Sequence, residues 1–304
     1  MIVYREVSSV ERDLGIPIKT LYAVSNNLKG HYRKVLIPKK SGGYRKLSVP
    51  DEVMKRIQRQ ISDVLLIHMP ISRYAKAYRF GSTTMKNARL HVGKPVVLKL
   101  DILHLFDSIR YSDMKDKVFP AEIYAENIRI LLAMLCYYKD FLPQGAPTSP
   151  AITNILMYKF DETVGTWCQE RGIAYTRYCD DMTFSGDFDP AEAIWFVRQE
   201  LRKMGFLLNE QKTRIQRSGQ QQTVTGIVVN EKMSIPADYR RKLRQELYYC
   251  RKFGIQEHLQ KMGLEISEDA YRMQLMGRCN YVLQLSPEDH DMLDARKWLQ
   301  QLNK

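Results

Sequence analysis

The chain has 304 residues, 44% of them hydrophobic, which is enough to bury a sizeable core in one unit of closely packed subdomains. Its 47 Lys and Arg against 34 Asp and Glu leave a formal charge of +13, which favours a polyanionic partner and puts nucleic acid first. The five cysteines (Cys136, Cys168, Cys179, Cys250 and Cys279) form no CxxC pair and exclude a disulfide framework or structural zinc site, and nothing approaches the roughly 18 uncharged residues of a membrane helix, so a soluble cytoplasmic protein without a membrane partner is expected.

In chain order, Val35 to Pro50 alternates around Lys39-Lys40-Ser41-Gly42-Gly43 and reads as a basic hairpin with a glycine turn. Val53, Ile57, Ile61, Val64 and Leu65 then recur at helical spacing as far as Pro70. Pro95 to Asp101 is a short β-rich run that ends on a carboxylate, with a helix expected soon after Ser112. Ser149-Pro150 starts a helix, with Ser as N-cap and Pro at the first position, and Gly172 is placed to end it. Ala174 to Ser185, β-prone on both sides of Cys179-Asp180-Asp181, reads as a hairpin with two acids at its tip. Asp189-Pro190 with Glu192 opens a second helix that Gly205 closes. A strand over Thr223 to Val229 follows, and from Pro236 the chain is expected to be mostly helical. In that tail Tyr239, Leu243, Leu247, Cys250 and Phe253 form an apolar stripe, while Arg240, Arg244, Tyr248 and Arg251 line a different face. The order of strand with acid, helix, acid-tipped hairpin, helix and strand is an α+β pattern, with helices behind an antiparallel sheet.

Asp101 and the pair Asp180-Asp181 carry the chemistry. Adjacent carboxylates at a β-turn between apolar strands repel each other, and cations are the usual means of neutralising them. Two Mg²⁺ ions roughly 3.5–4 Å apart, held by carboxylates from different segments, are what an in-line phosphoryl displacement uses. A lone Asp-Asp pair is ordinarily a solvated turn, but this pair does not stand alone.

Tyr178-Cys179-Asp180-Asp181 resembles the Tyr-x-Asp-Asp box of reverse transcriptases, and Leu98-Lys99-Leu100-Asp101 through Phe106 resembles their first catalytic strand. Leu142-Pro143-Gln144-Gly145-Ala146-Pro147-Thr148-Ser149-Pro150 is close to the loop and helix that back the templating base in that family, and the likeness continues through Gly205-Phe206 and Asn209 to Lys212-Thr213. The resemblance covers nearly the whole chain from about residue 30 onward. It implies an RNA-directed DNA polymerase of right-hand form, with fingers and palm over residues 1–232 and a helical thumb over 233–304. Asp101 and Asp180 are then the principal ligands of two Mg²⁺ ions, with Asp181 adjacent and the backbone carbonyl of Ile102 as a further ligand. Strand side chains alternate, so Asp180 and Asp181 share an ion only if the turn bends them there.

The same resemblance makes Phe106 a steric gate against the ribose 2′-hydroxyl and Arg45 the guanidinium that grips the dNTP triphosphate, which suits bidentate binding. Lys46, Lys39 and Lys40 assist it or are solvated hairpin charges. Gln144 would contact the incoming nucleotide, and Lys212 would lie near the leaving phosphate.

Asn87-Ala88-Arg89-Leu90-His91 and Val224-Thr225-Gly226 look like signatures of retron reverse transcriptases. The retron type implies one structured noncoding RNA as template and primer, started from an internal 2′-hydroxyl, and an RNA–DNA product that works with an effector in antiphage defence. Asn87 and His91, together with Arg240, Arg244, Tyr248 and Arg251, are the candidate nucleic-acid contacts. Two departures stand out: Cys179 replaces the usual Ala, and no protease, nuclease or long N-terminal extension is seen, so the effector is expected to be a separate chain. The competing readings are another bacterial reverse transcriptase (group II intron, diversity-generating or defence-associated), a non-catalytic RNA-binding scaffold, and a nucleotidyl cyclase. The retron strings, the intact acids and the Pro143-Gln144-Gly145 loop with the basic tail speak against them in that order.

Overall fold

The computed structural model describes residues 3–38 and 42–302; Lys39, Lys40 and Ser41 of the expected hairpin turn lie outside them. The chain divides into two compact units, Met1–Thr83 with Val96–Ile215 and Thr84–Pro95 with Gln216–Lys304. The units therefore group Thr84–Pro95 and Gln216–Lys232 with the helical tail, whereas the division expected from the sequence falls at 232.

In the first unit, β1 (Tyr32–Pro38) and β2 (Tyr44–Pro50) pair antiparallel from Tyr32 opposite Pro50 to Pro38 opposite Tyr44. Asp51 then caps the helix Glu52–Gln60 by accepting from the Met54 amide. Val53 is exposed and Met54 takes its place, so Met54, Ile57, Ile61 and Leu65 form the buried stripe. This helix widens to a π-helical stretch at Ile61–Leu65 and tightens at Leu66–His68 before Pro70.

The central sheet has the order β4 (Ala174–Tyr178), β5 (Asp181–Gly186), β3 (Val96–Leu103), β6 (Leu207–Leu208), with β7 (Arg214–Arg217) also paired to β3. Val96, Val97, Leu98, Leu100 and Ile102 are all buried, as a strand covered on both faces requires. β3 runs two residues past Asp101, so that acid lies within the strand and not at its end. Packed around this core are the helices Glu126–Cys136, Ser149–Leu156, Tyr158–Glu170 and Pro190–Lys203.

The single helix expected from Ser149 to Gly172 is interrupted at Met157, whose ψ of 0° leaves the helical range. Its cap position is Thr148. Ser149 lies one residue inside and donates from Oγ to the Pro143 carbonyl (2.7 Å), which binds the preceding loop. Asp189 caps the Pro190–Lys203 helix as expected, accepting from the Ala191 amide at 2.9 Å.

In the second unit the helix Thr84–Arg89 packs against β8 (Thr223–Val224) and β9 (Ile227–Val228). The expected strand Thr223 to Val229 is a tight hairpin, because Thr225 (φ +47°) and Gly226 (φ +83°) reverse the chain. The tail is helical as expected, over Ala237–Phe253, Ile255–Met262, Glu268–Leu285 and His290–Gln301. These helices bury a core of their own that includes Leu243, Leu247, Cys250, Leu275, Cys279, Val282 and Leu299. Among the described residues no helix is long and apolar enough to cross a membrane.

Candidate active site

The β4–β5 hairpin closes at Tyr178 opposite Asp181, leaving Cys179 and Asp180 as its tip. Cys179 is left-handed (φ +63°), and this turns the chain so that both following acids reach the same place. β3 supplies the third acid: Asp101 pairs in register with Asp181, and the Ile102 amide donates to the Asp180 carbonyl at 3.0 Å. Asp101, Asp180 and Asp181 each offer a carboxylate oxygen within 4.8 Å of the others. Oxygen donors at that spacing fit a hard divalent cation.

The three acids differ in environment. Asp101 is buried, Asp180 half-buried and Asp181 exposed at the residue level. Packing around its carboxyl, then the charges of Asp180 and Asp101, push the Asp181 pKa up to about 6. Asp101 is satisfied from the β6 side: Asn209 Nδ2 donates to Oδ1 at 2.9 Å and Lys212 Nζ pairs with Oδ2 at 2.7 Å. Burial disfavours the Lys212 ammonium, but the hydrogen bond and charge of Asp101, with Asp180 and Asp181 behind it, hold its pKa above the usual lysine value. Asn209 also donates its amide to the Asp101 carbonyl at 2.8 Å. Its direct hold on the acid is a feature that sequence reading, which noted Asn209 only within a matching string, did not supply.

The nucleotide-site candidates occupy neighbouring elements. Phe106 is half-buried against the core in the short helix Leu105–Ser108, which follows left-handed His104. Its carbonyl accepts from the Leu142 amide at 3.1 Å, tying it to the Leu142 to Pro150 loop. Gln144 is half-buried, and its carbonyl accepts from the Ser48 amide at 3.1 Å, tying the same loop to β2. At Gly145 the backbone takes φ +111°, which residues with a side chain rarely adopt, so the turn of this loop beside Ser48 calls for glycine. Arg45 and Lys46 stand exposed on β2. Ile102 buries its side chain and has only its backbone to offer the acids.

The family model of the reverse transcriptases (RNA-dependent DNA polymerases) matches residues 37–232. Retron Mx65 reverse transcriptase of Myxococcus xanthus is 31% identical over 97% of this chain and 72% of its own length. This chain belongs to the reverse transcriptases of the retron type. Two Escherichia coli relatives agree: retron Ec83 reverse transcriptase is 30% identical over 69% of this chain and 73% of its own, and retron Ec86 reverse transcriptase 27% identical over 84% and 82%. The right-hand fold, with palm and helical thumb, is shared with solved structures of dissimilar sequence. A Candida tropicalis telomerase in complex with a fragment of telomeric RNA has a TM-score of 0.52 at 13% identity, over 84% of this chain and 52% of that one. Apo telomerase of the same organism, truncated from its C-terminal domain, has a TM-score of 0.50 at 16% identity, over 70% and 58%. The retron reverse transcriptase is therefore an RNA-directed DNA polymerase that works on nucleotides and an RNA template. Its family implies a divalent-metal requirement, which the acidic triad could serve.

The nucleic-acid candidates of this reverse transcriptase lie in its second unit. Asn87 and His91 are fully buried, so in this conformation neither side chain is presented to a ligand. The helix that carries Asn87 packs on the hairpin that carries Val224-Thr225-Gly226, and Thr225 Oγ1 donates to the Thr84 carbonyl at 3.1 Å. The two retron strings, far apart in sequence, thus form one small structure. On the Ala237–Phe253 helix Tyr248 is exposed, but the arginines turn toward the His290–Gln301 helix and its cap. Arg240 pairs with Asp289 at 2.7 Å, Arg244 with Asp291 at 2.6 Å, and the Arg251 guanidinium lies 5.2 Å from the Trp298 ring centroid.

Proposed function

We propose that this enzyme copies a cognate structured noncoding RNA that serves as both template and primer, giving an RNA-linked single-stranded DNA that acts with a separate effector protein in antiphage defence in the bacterial cytoplasm. The observation that carries the reading is the match, over nearly the whole chain, to a retron reverse transcriptase, joined to the convergence of Asp101, Asp180 and Asp181. In this reading residues 1–232 are fingers and palm, and 233–304 are the thumb that holds RNA and duplex.

Asp101 and Asp180 would be the principal ligands of two Mg²⁺ ions, with Asp181 and the Ile102 carbonyl completing the set. When bound, such ions supply activation of the attacking hydroxyl and neutralisation of the leaving group. The remaining work falls to the protein. Arg45 grips the triphosphate with a fork of donors, Gln144 contacts the incoming nucleotide, and Phe106 fills the space a 2′-hydroxyl would need. Lys212, an ammonium already held at the acids, is suited to meet the charge that develops on the leaving phosphate. Arg240, Arg244, Tyr248 and Arg251 line a track for the backbone, while Asn87 and His91 are buried in the segment whose helix packs on the Thr223–Val228 hairpin and offer nucleic acid no direct contact as they stand.

Sequencing the nucleic acid that copurifies with the protein tests the reading directly: a single structured RNA joined through a 2′-linkage to DNA is expected. Asp180→Asn removes a metal ligand without touching the basic surface, so it should abolish nucleotide addition and leave RNA binding intact. Extension of a primed RNA by this variant at the normal rate with Mg²⁺ would refute the acid assignment.

A further inference from the structure

Beneath the catalytic hairpin lies an arginine that none of the motifs includes. Arg177, in β4, has no solvent exposure, and it is the largest of the fully buried side chains. Its guanidinium makes a fork with Asp161, Nε to Oδ1 at 2.8 Å and Nη2 to Oδ2 at 2.6 Å, and Asp161 is itself fully buried. Nη2 also donates to Asn154 Oδ1 at 3.2 Å, and the Tyr175 hydroxyl donates to Asp161 Oδ1 at 2.9 Å. The remaining arm, Nη1, donates to the carbonyl of Cys179 at 2.9 Å.

That carbonyl belongs to the one residue of the hairpin tip that is left-handed, and Asp180 and Asp181 follow it directly. A left-handed backbone is unfavourable for a residue with a Cβ, and it persists where surrounding contacts over-determine it. Here the contacts come from two sides. Arg177 holds the Cys179 carbonyl from below, and the Tyr78 hydroxyl lies 3.6 Å from the Cys179 sulfur. The Tyr78 stretch is in turn pinned to the same network: Asn154 Nδ2 donates to the Ala77 carbonyl at 3.0 Å, the Arg177 amide to the Tyr74 carbonyl at 2.9 Å, and the Lys76 amide to the Arg177 carbonyl at 2.7 Å.

A buried ion pair is a poor source of net stability, because desolvation offsets most of the attraction and apolar replacements of the same volume are often as stable. Geometry is the better account. We propose that Arg177 is a positioning residue for catalysis: clamped by Asp161, it fixes the Cys179 carbonyl, and through it the left-handed turn that swings Asp180 and Asp181 to the same side as Asp101. The inference rests on the reading of those three acids as the metal-binding set.

Two substitutions separate positioning from folding. Arg177→Lys keeps a cation against Asp161 but has no second arm for Cys179. Arg177→Met combined with Asp161→Leu removes the pair as a whole and leaves no unpaired buried charge. In single-nucleotide extension of a primed RNA at saturating template, kcat should fall roughly 10- to 100-fold in both, the loss typical of a displaced catalytic group. The Mg²⁺ concentration that gives half the maximal rate should rise as well, while template affinity stays near that of the parent; kcat is taken per folded molecule, because the buried Tyr175 hydroxyl and Asn154 Oδ1 lose partners in the double variant. Parental kcat and Mg²⁺ dependence in Arg177→Lys, or activity lost only in proportion to the unfolded fraction, overturns the proposal. Asp180→Asn in the same assay keeps the two readings apart: if it extends the primer, the acid assignment fails, and if it is inactive beside a fully active Arg177→Lys, only the positioning role fails.

Discussion

Burial of its carboxyl, and after that the charges of Asp180 and Asp101 whose oxygens lie within 4.8 Å, push the Asp181 pKa up to about 6. A carboxyl raised above its unfolded value binds more protons folded than unfolded, so stability falls as pH climbs from about 4 to 6 and stays lower above that. Asp181→Asn should therefore stabilise the metal-free protein at pH 7 by on the order of 1 kcal/mol once solvent screening is allowed for, and the gain should vanish by about pH 4. Thermal melts in chelator across that range decide it: a variant that gains nothing at pH 7 means that burial and the neighbouring acids do not hold the Asp181 pKa up. Phe106→Val tests the sugar gate. Discrimination between dNTP and rNTP should fall by at least about tenfold, or 1.4 kcal/mol, in single-nucleotide incorporation, and unchanged preference removes the gate. The acids themselves were legible because they sit in short local strings with a fixed order. What surrounds them was not: Asn209 meets Asp101 from 108 residues away, and nothing local marks Arg177, since arginine is seldom fully buried.

Among the elements, the thumb helix shows best where periodicity informs and where it stops. The spacing of Leu243, Leu247 and Cys250 placed them inside, and they are buried. The same spacing set Arg240, Arg244 and Arg251 on one side, but not what they face, because that depends on a helix some fifty residues later that brings Asp289, Asp291 and Trp298. Arg240→Ala leaves the nearly buried Asp289 without its cation and should cost roughly 1–3 kcal/mol in urea unfolding. Arg244→Ala, opposite an exposed partner, should cost less than about 1 kcal/mol. Template titrations of the triple Ala variant at several salt concentrations report the other role: each guanidinium on phosphate accounts for about one unit of slope, so a fall of up to about three is expected. An unchanged slope with lowered stability assigns the stripe to internal packing. Other elements escaped the sequence through their size or their context. β8 and β9 have two residues each, too short for alternation to show the reversal at Thr225-Gly226, and the break at Met157 carries no glycine or proline signal.

For the molecule as a whole, the fold class followed from the order of its elements, but the grouping of segments did not, because the chain passes between its compact units at Thr83–Thr84, Pro95–Val96 and Ile215–Gln216. Within the second unit Thr84–Pro95 is bound to the later segment by the Thr225 hydroxyl on the Thr84 carbonyl, the Gly93 amide on the Val229 carbonyl at 2.9 Å, and Gln222 Nε2 on the Lys94 carbonyl at 2.9 Å. Exchanging Gln216–Lys304 for the matching segment of a retron relative should therefore give a less stable chimera than exchanging Thr84–Pro95 with it, as judged by melting temperature; equal stabilities would show that the two segments are independent. The same threading sets an order on synthesis. As the chain leaves the ribosome, Thr84–Pro95 appears before β3, β4 and β5 have been made, and its partners appear only after the acid-tipped hairpin is complete. Domains tend to fold as they emerge, so the polymerase sheet is expected to close around its three acids before this short stretch can bury Asn87 and His91. The segment that carries one retron string would then be finished last, by the segment that carries the other.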